Sequence, residues 1–450
     1  MKQQTGRYLS LDFLRGLTIF GMVLSAIQPH GVMPGWMYHV QNPPPTHDLN
    51  MAVPGIGWVD LVFPIFIFCM GAAIPFAKPT VKTIFSRFAM LWLFSYLYVF
   101  INSSNSWVTL AGFISLFPLY MVFKTPPKLF GREMPVTAIR ITGAALVLGT
   151  IAINHFCFEE VLSVQRRGII IFLLAFLYLF GGLIWHYTKE NLTKRAAIFG
   201  IILAFTLVTQ YKDWPTITYA NPNIRWWFNV EYFYFLLLLI PATYIGDLLQ
   251  KRISSGEEVL TNENRKSSLL LASLSLALVV WMTFAFYMQL YWWNLCLSGI
   301  MLYAIYTIVK RDFPAYVPIV QMAAYLIVAG EIIEPYGGGI KKVPCTIQYC
   351  LATCGMAMML LIVSDYICHK IPGSFFVKTF QRAGKNPLMC YIAFDCFIMP
   401  LMKITGAIHL YRMAYPKGMH LIGFIRSAAA VVFTMWTVGQ FTRKKIFWKA

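Results

Sequence analysis

Apolar residues run in long unbroken blocks along this chain, and polar positions are confined to the gaps between them. Segments such as GIIIFLLAFLYLFGGLIW (168–185) and SLLLASLSLALVVWMTFAFYMQLYWW (268–293) contain no charged residue. About 20 apolar residues in a helix cross the hydrocarbon core of a bilayer. On that criterion the pattern predicts helices over 9–29, 58–77, 86–102, 107–123, 138–154, 168–186, 196–210, 229–248, 268–287, 290–308, 316–334, 345–367, 387–403 and 421–440. The expected fold is all-α, a polytopic transmembrane bundle of about 11–14 helices forming one domain over 1–450.

Composition agrees, with 58% hydrophobic and only 12% charged residues among 450, about half the charged share of a soluble domain. The net charge of +19 invites a nucleic-acid reading, but its distribution points elsewhere. With the amino terminus inside and helices alternating, the outer loops receive only Arg166, Arg167, Lys212, Arg225, Lys341, Lys342, Lys403, Arg412 and Lys417, and the inner loops nearly all the rest. That asymmetry is the positive-inside pattern. It places both termini in the cytoplasm and leaves no basic module to bind nucleic acid. The 250–267 loop then faces the cytoplasm, and the loops at 30–57, 210–229 and 334–345 face outward. The first apolar segment contains Asp12 and Arg15 and lacks a small-residue cleavage site, so it reads as a retained helix.

Most of the nine cysteines lie inside apolar runs without metal spacing, which suits packing. Walker, dinucleotide-binding and zinc motifs are absent, arguing against ATP-driven pumping by this chain.

The outward stretch WMYHVQNPPPTHDLNMAVPGIGWVDLVFP (36–64) is polar, stiffened by Pro43, Pro44 and Pro45, and carries His39 and His47. An imidazole held at a helix mouth suits a general base or a transient acyl carrier; an exposed loop histidine is the plainer alternative. Asp60 opens the second helix, where a carboxylate also suits the positive end of the helix dipole. Asp12 and Arg15 lie one turn apart, spaced to pair. AGEIIEPYGGGIKK (329–342) gathers Glu331, Glu334 and Lys341 around three glycines, either as a sugar-contacting site or as a flexible charged turn. RAGKNPLMCY (382–391) sets Lys385 and Asn386 at an inner helix start, either for an anion or as a basic anchor.

RYLSLDFLRGLTIFGMVL, PGIGWVDLVFPIFIFCMGAAIPFA, GGIKKVPCTIQYCLATCG and GKNPLMCY resemble, in this order, the transmembrane acetyltransferases typified by heparan-α-glucosaminide N-acetyltransferase. The resemblance covers most of the chain and is strongest over 7–78. It implies a multi-pass protein of a bacterial inner membrane, acetyl-CoA bound from the cytoplasm, an amino sugar or glycan beyond the bilayer, and a histidine before the second helix assisting transfer. In the family that histidine lies about ten residues before the aspartate of DLVFP. Here that register falls on Asn50, with His47 the nearest histidine and His39 next. Ala26 stands where the family tends to have asparagine.

The expectation is therefore a membrane acetyltransferase in which His47 or His39 acts as base or acyl relay and Asp60 positions the loop. Glu331, Glu334, Lys341 and Asn386 would contact the acceptor, and Lys385 and Arg15 the acetyl-CoA. No metal is expected, and a homodimer stays open. The alternative is an amino-sugar permease without chemistry, which many helices and intramembrane acids would suit.

Overall fold

A computed structural model describes residues 7–102, 105–123, 135–211, 227–256, 259–260, 264–336 and 338–448. Among these residues the chain is helical and contains no strand. The first seven long helices are α1 (Leu9–Ile27), α2 (Trp58–Ala77), α3 (Val81–Phe100), α4 (Ser106–Phe123), α5 (Val136–Phe158), α6 (Ile169–Thr188) and α7 (Leu192–Tyr211). The next five are α8 (Leu236–Ser255), α9 (Arg265–Met288), α10 (Tyr291–Asp312), α11 (Val317–Ile333) and α12 (Ile347–Lys370). A short helix, α13 (Phe375–Lys385), precedes α14 (Pro387–Ile404), which a π-turn interrupts at Phe394–Ile398. A six-residue helix, α15 (Ile408–Met413), leads to α16 (His420–Arg443).

Fourteen of these helices are long and apolar enough to cross a membrane, so the chain is a multi-pass membrane protein. Each coincides with a segment expected from hydropathy. The outer segment 210–229 lies mostly outside the described residues, as does part of 250–267.

Position in the bundle follows the distribution of apolar residues around each helix. The α12 span is 94% buried inside the protein, because it is apolar all round. Its small or flexible side chains, including Cys350, Ala352, Cys354, Ala357 and Met358, let α2, α8, α9 and α11 pack against it. At the rim, the α5 and α7 spans are only 22% and 17% buried, and Leu148, Ile153, Phe156 and Ile201 point outward. Those faces are suited to lipid.

The amphipathic α13 is too short to span and lies against α1 and α16. Its approach to α1 requires glycine at both contacts. A Cβ on Gly16 would overlap the Phe380 carbonyl, and one on Gly384 would overlap the Asp12 carbonyl. This contact brings Lys385 beside the start of α1.

Candidate functional site

The site begins with Asp60 in the first turn of α2, on the face opposite the amino terminus. Asp60 is 2% exposed, and its Oδ2 accepts the N–H groups of Gly57 (3.0 Å) and Val40 (3.3 Å). The Gly57 bond caps the helix, as expected. The other oxygen, Oδ1, lies 2.5 Å from Nδ1 of His39. Tyr349 on α12 donates its hydroxyl to the Asp60 carbonyl at 2.7 Å, fixing this turn against the core.

Lys342 completes the cluster. Its Nζ lies 3.3 and 3.4 Å from the two ring nitrogens of His39 and 4.0 Å from Asp60 Oδ1. Near-equal distances to both nitrogens keep the ammonium off the in-plane lone-pair direction of either. Burial pushes Lys342 below the usual lysine range, against the pull of the Asp60 carboxylate.

Two loops distant in sequence build this cluster. Gln41 donates through Nε2 to the Val343 carbonyl and accepts the Val343 N–H at 2.9 Å. The Gly55 N–H donates to the Ile340 carbonyl at 2.7 Å. The proline-rich segment is thus a fitted cover, tied to the 338–346 segment through the Gln41 side chain and the Gly55 N–H.

The two histidines have separate places. His39 is on Asp60, and its side chain is 36% exposed. His47 instead packs within the loop, 4.0 Å from the His30 ring and 4.6 Å from the Tyr38 ring. Its Nδ1 lies 3.0 Å from the Asn42 carbonyl, and Asn42 donates back to the His47 carbonyl at 3.1 Å. Its backbone is left-handed, with φ of 59°, a conformation histidine tolerates better than most residues. Of the two candidate histidines, the one seated on Asp60 is His39.

From the amino-terminal face a cavity of about 400 Å³ enters the bundle. Arg7, Arg15, Arg87, Lys385, Asp12 and Tyr8 line its mouth, and Met22, Phe66 and Met70 its depth. Along α1, Met22 lies about 20 Å above Leu9. Phe66 is six residues below Asp60 on α2, about 9 Å along the axis. Neither His39 nor Asp60 lines this space. The helices α1 and α2 pack closely here, with Val62 occupying the space beside Gly21.

Arg15 is held in place by its neighbours. It donates to Asp12 (3.2 Å), the Gly384 carbonyl (3.0 Å) and the Cys69 carbonyl (3.1 Å), joining α1, α13 and α2. Arg87 donates to the Tyr178 hydroxyl at 3.1 Å. Burial, with Arg7 and Arg382 adding to it and Asp12 opposing, lowers Lys385 below its usual range.

The four residues expected to contact the acceptor have the following places. The Asn386 amide is engaged by the chain's own tail, donating to the Ile446 carbonyl (3.0 Å) and accepting the Trp448 N–H (3.1 Å). Lys341 closes a turn through its backbone, bonded to Thr346. Glu331 and Glu334 are 4% and 2% exposed, so they do not form an open charged turn. Gly339, at φ 82°, folds back against Pro54 above them.

Residues 7–249 match the family described as a domain of unknown function, DUF5009. The chain belongs to the DUF5009 family. No curated protein matches it. The matched DUF5009 segment contains His39, Asp60, Arg7, Arg15 and Arg87; Lys342 and Lys385 come from the rest of the chain. Both the cover and the cavity are therefore assembled across the end of the DUF5009 match.

Sequence reasoning did not single out Lys342, Arg87 or Gln41. Lys342 adjoins a candidate that was named, and only the loop's path selects between neighbouring lysines. Arg87 looks like one more inner-face cation until Tyr178 turns it toward the cavity.

Proposed function

We propose that this DUF5009 protein is an integral membrane acyltransferase of a bacterial inner membrane. It takes acetyl from acetyl-CoA at the cytoplasmic face and passes it to an amino sugar or related glycan at the opposite face. The observation that supports this reading is the His39–Asp60 pair, seated at one end of α2 above a cationic cavity that enters from the other. The resemblance to transmembrane acetyltransferases points the same way, and positive-inside asymmetry sets the orientation.

The residues that fit acetyl-CoA are those at the cavity mouth. Arg7, Arg87 and Lys385 offer charged donors to its phosphates, and the Met22–Phe66 shaft offers an apolar path for its arm. Asp60 favours the His39 tautomer protonated at Nδ1, leaving Nε2 with its lone pair. His39 then takes a proton from the acceptor amine or hydroxyl as that group attacks the thioester carbonyl. The new C–N or C–O bond forms, the C–S bond breaks, and the imidazolium returns its proton to the departing thiolate. The step requires a path from cavity to cluster, since neither His39 nor Asp60 lines the cavity. Asp60 holds the ring in place, and Lys342 lies against it.

The test is mass spectrometry of glucosamine incubated with purified protein and acetyl-CoA. Acetylated product that requires both acetyl-CoA and His39 supports the proposal. The rival reading, a permease, draws on fourteen spanning helices and a cavity open from one face. Uptake of labelled amino sugar into proteoliposomes without acetyl-CoA, with no acetylated product, decides for it.

A further inference from the structure

The outer halves of α10 and α11 enclose a polar cluster that the acyl-transfer reading leaves unused. Ser298 on α10 donates its hydroxyl to Glu331 Oε2 on α11 at 2.7 Å. The helices run antiparallel, so one turn outward from this contact leads to Asn294 on α10 and to Glu334, which caps the end of α11. Asn294 and Ser298 are 1% and 0% exposed, matching the burial of both glutamates.

The cluster is underbonded. Glu331 Oε1, Glu334 Oε1 and both polar atoms of the Asn294 amide are buried without a hydrogen-bond partner. Among the described residues neither glutamate is in an ion pair. Buried polar atoms in a membrane bundle are nearly always satisfied, and an unpaired intramembrane carboxylate is costly. Helix spacing sets the amide, its donor and acceptor idle, on the same stretch of the α10–α11 seam as the two carboxylates, and the idle oxygens describe a place where something positive is missing.

We propose that Asn294, Ser298, Glu331 and Glu334 bind a hard metal cation, Na⁺ or Ca²⁺, between α10 and α11. The oxygens of two carboxylates, an amide and a hydroxyl are the ligands such ions take. The absence of histidine and thiol from these four argues against a softer metal. The cation joins α10 to α11 and offsets charge that the fold otherwise leaves uncompensated. The inference does not depend on acetyl transfer.

The test is thermal unfolding of the full-length protein in detergent, titrated with NaCl or CaCl₂ against choline chloride at constant ionic strength. Glucosamine hydrochloride serves as an organic-ammonium arm. The expected result is a saturable rise in midpoint with one of the two metals, absent with choline and lost in both Glu331→Gln and Asn294→Ala. His39→Ala should keep the rise, and no acetyl-CoA is present, so failure here is separate from failure of the transferase proposal. Equal shifts with every salt would overturn the proposal, as would no metal shift or one that survives in both variants. A shift with glucosamine alone would overturn it in favour of an acceptor amine. A Glu331→Gln protein as stable as the wild type at saturating metal, without a metal shift in the wild type, would replace the metal with a proton.

Discussion

Nδ1 of His39 lies 2.5 Å from Oδ1 of Asp60, although 21 residues and three consecutive prolines separate them in the chain. The carboxylate is buried and also accepts two backbone N–H groups. It can therefore set the ring's tautomer and orientation from a fixed position, and the imidazole keeps access to solvent.

Asp60→Asn retains the volume and removes the charge. If Asp60 holds His39 ready to accept a proton, acetyl transfer should fall roughly 100-fold, in line with loss of an effective general base. Steady-state assay should place the loss mainly in kcat, with little change in the KM for acetyl-CoA. A variant of unchanged kcat would remove Asp60 from the chemistry.

Arg87 faces the cavity mouth and is tied only to Tyr178 among the hydrogen bonds described. Arg87→Ala should weaken CoA binding roughly tenfold, about 1.4 kcal/mol, and flatten its salt dependence. Calorimetric titration of wild type and variant at two ionic strengths would measure both effects. CoA affinity indifferent to Arg87 and to salt would move the donor site elsewhere.

Lys342 gives a stability prediction with a definite sign. Its folded-state pKa lies below the usual 10.5 because burial disfavours the ammonium. Between the lowered value and 10.5, the unfolded chain binds more protons than the folded one, so stability rises with pH there. The unfolding midpoint should climb across the alkaline range towards pH 10.5, and Lys342→Met should flatten the climb. An identical slope in the variant would contradict this.

Gly384 meets the Asp12 carbonyl where α13 crosses α1. Gly384→Ala should destabilise the protein by about 1–3 kcal/mol through overpacking, measured as a lower thermal midpoint in detergent. CoA binding should weaken with it, because Gly384 sets the place of the adjoining Lys385 at the cavity. Gly373, with open space around its would-be Cβ, is the control position and should accept alanine with no comparable loss.

The helices were legible because each must supply its own apolar length; hydropathy located α2 at Trp58–Ala77 to the residue. α13 escaped notice, since an 11-residue amphipathic helix between two spans carries too little apolar sequence to register. The candidate site was legible only in part. Its outer loop and the residues His39 and Asp60 stood out by chemistry. Counting back from Asp60 favoured His47, because linear spacing cannot show a loop doubling over itself. Asn50 bonds back to Gln41, which brings His39, two residues before Gln41, over the helix start and leaves His47 at the far turn. Nor does the pattern around Glu331 and Glu334 show that Gly339 folds over them; the same letters would write an exposed turn.

The most direct measurement is acetyl transfer to glucosamine by equal amounts of folded wild-type, His39→Ala and His47→Ala protein, purified in detergent. The expected result is acetyl-CoA-dependent product from wild type, retained in large part by His47→Ala and reduced at least about 100-fold in His39→Ala. Full activity in His39→Ala, or no acetylated product from the wild type with any amino sugar tried, would contradict the assignment of His39 as the base.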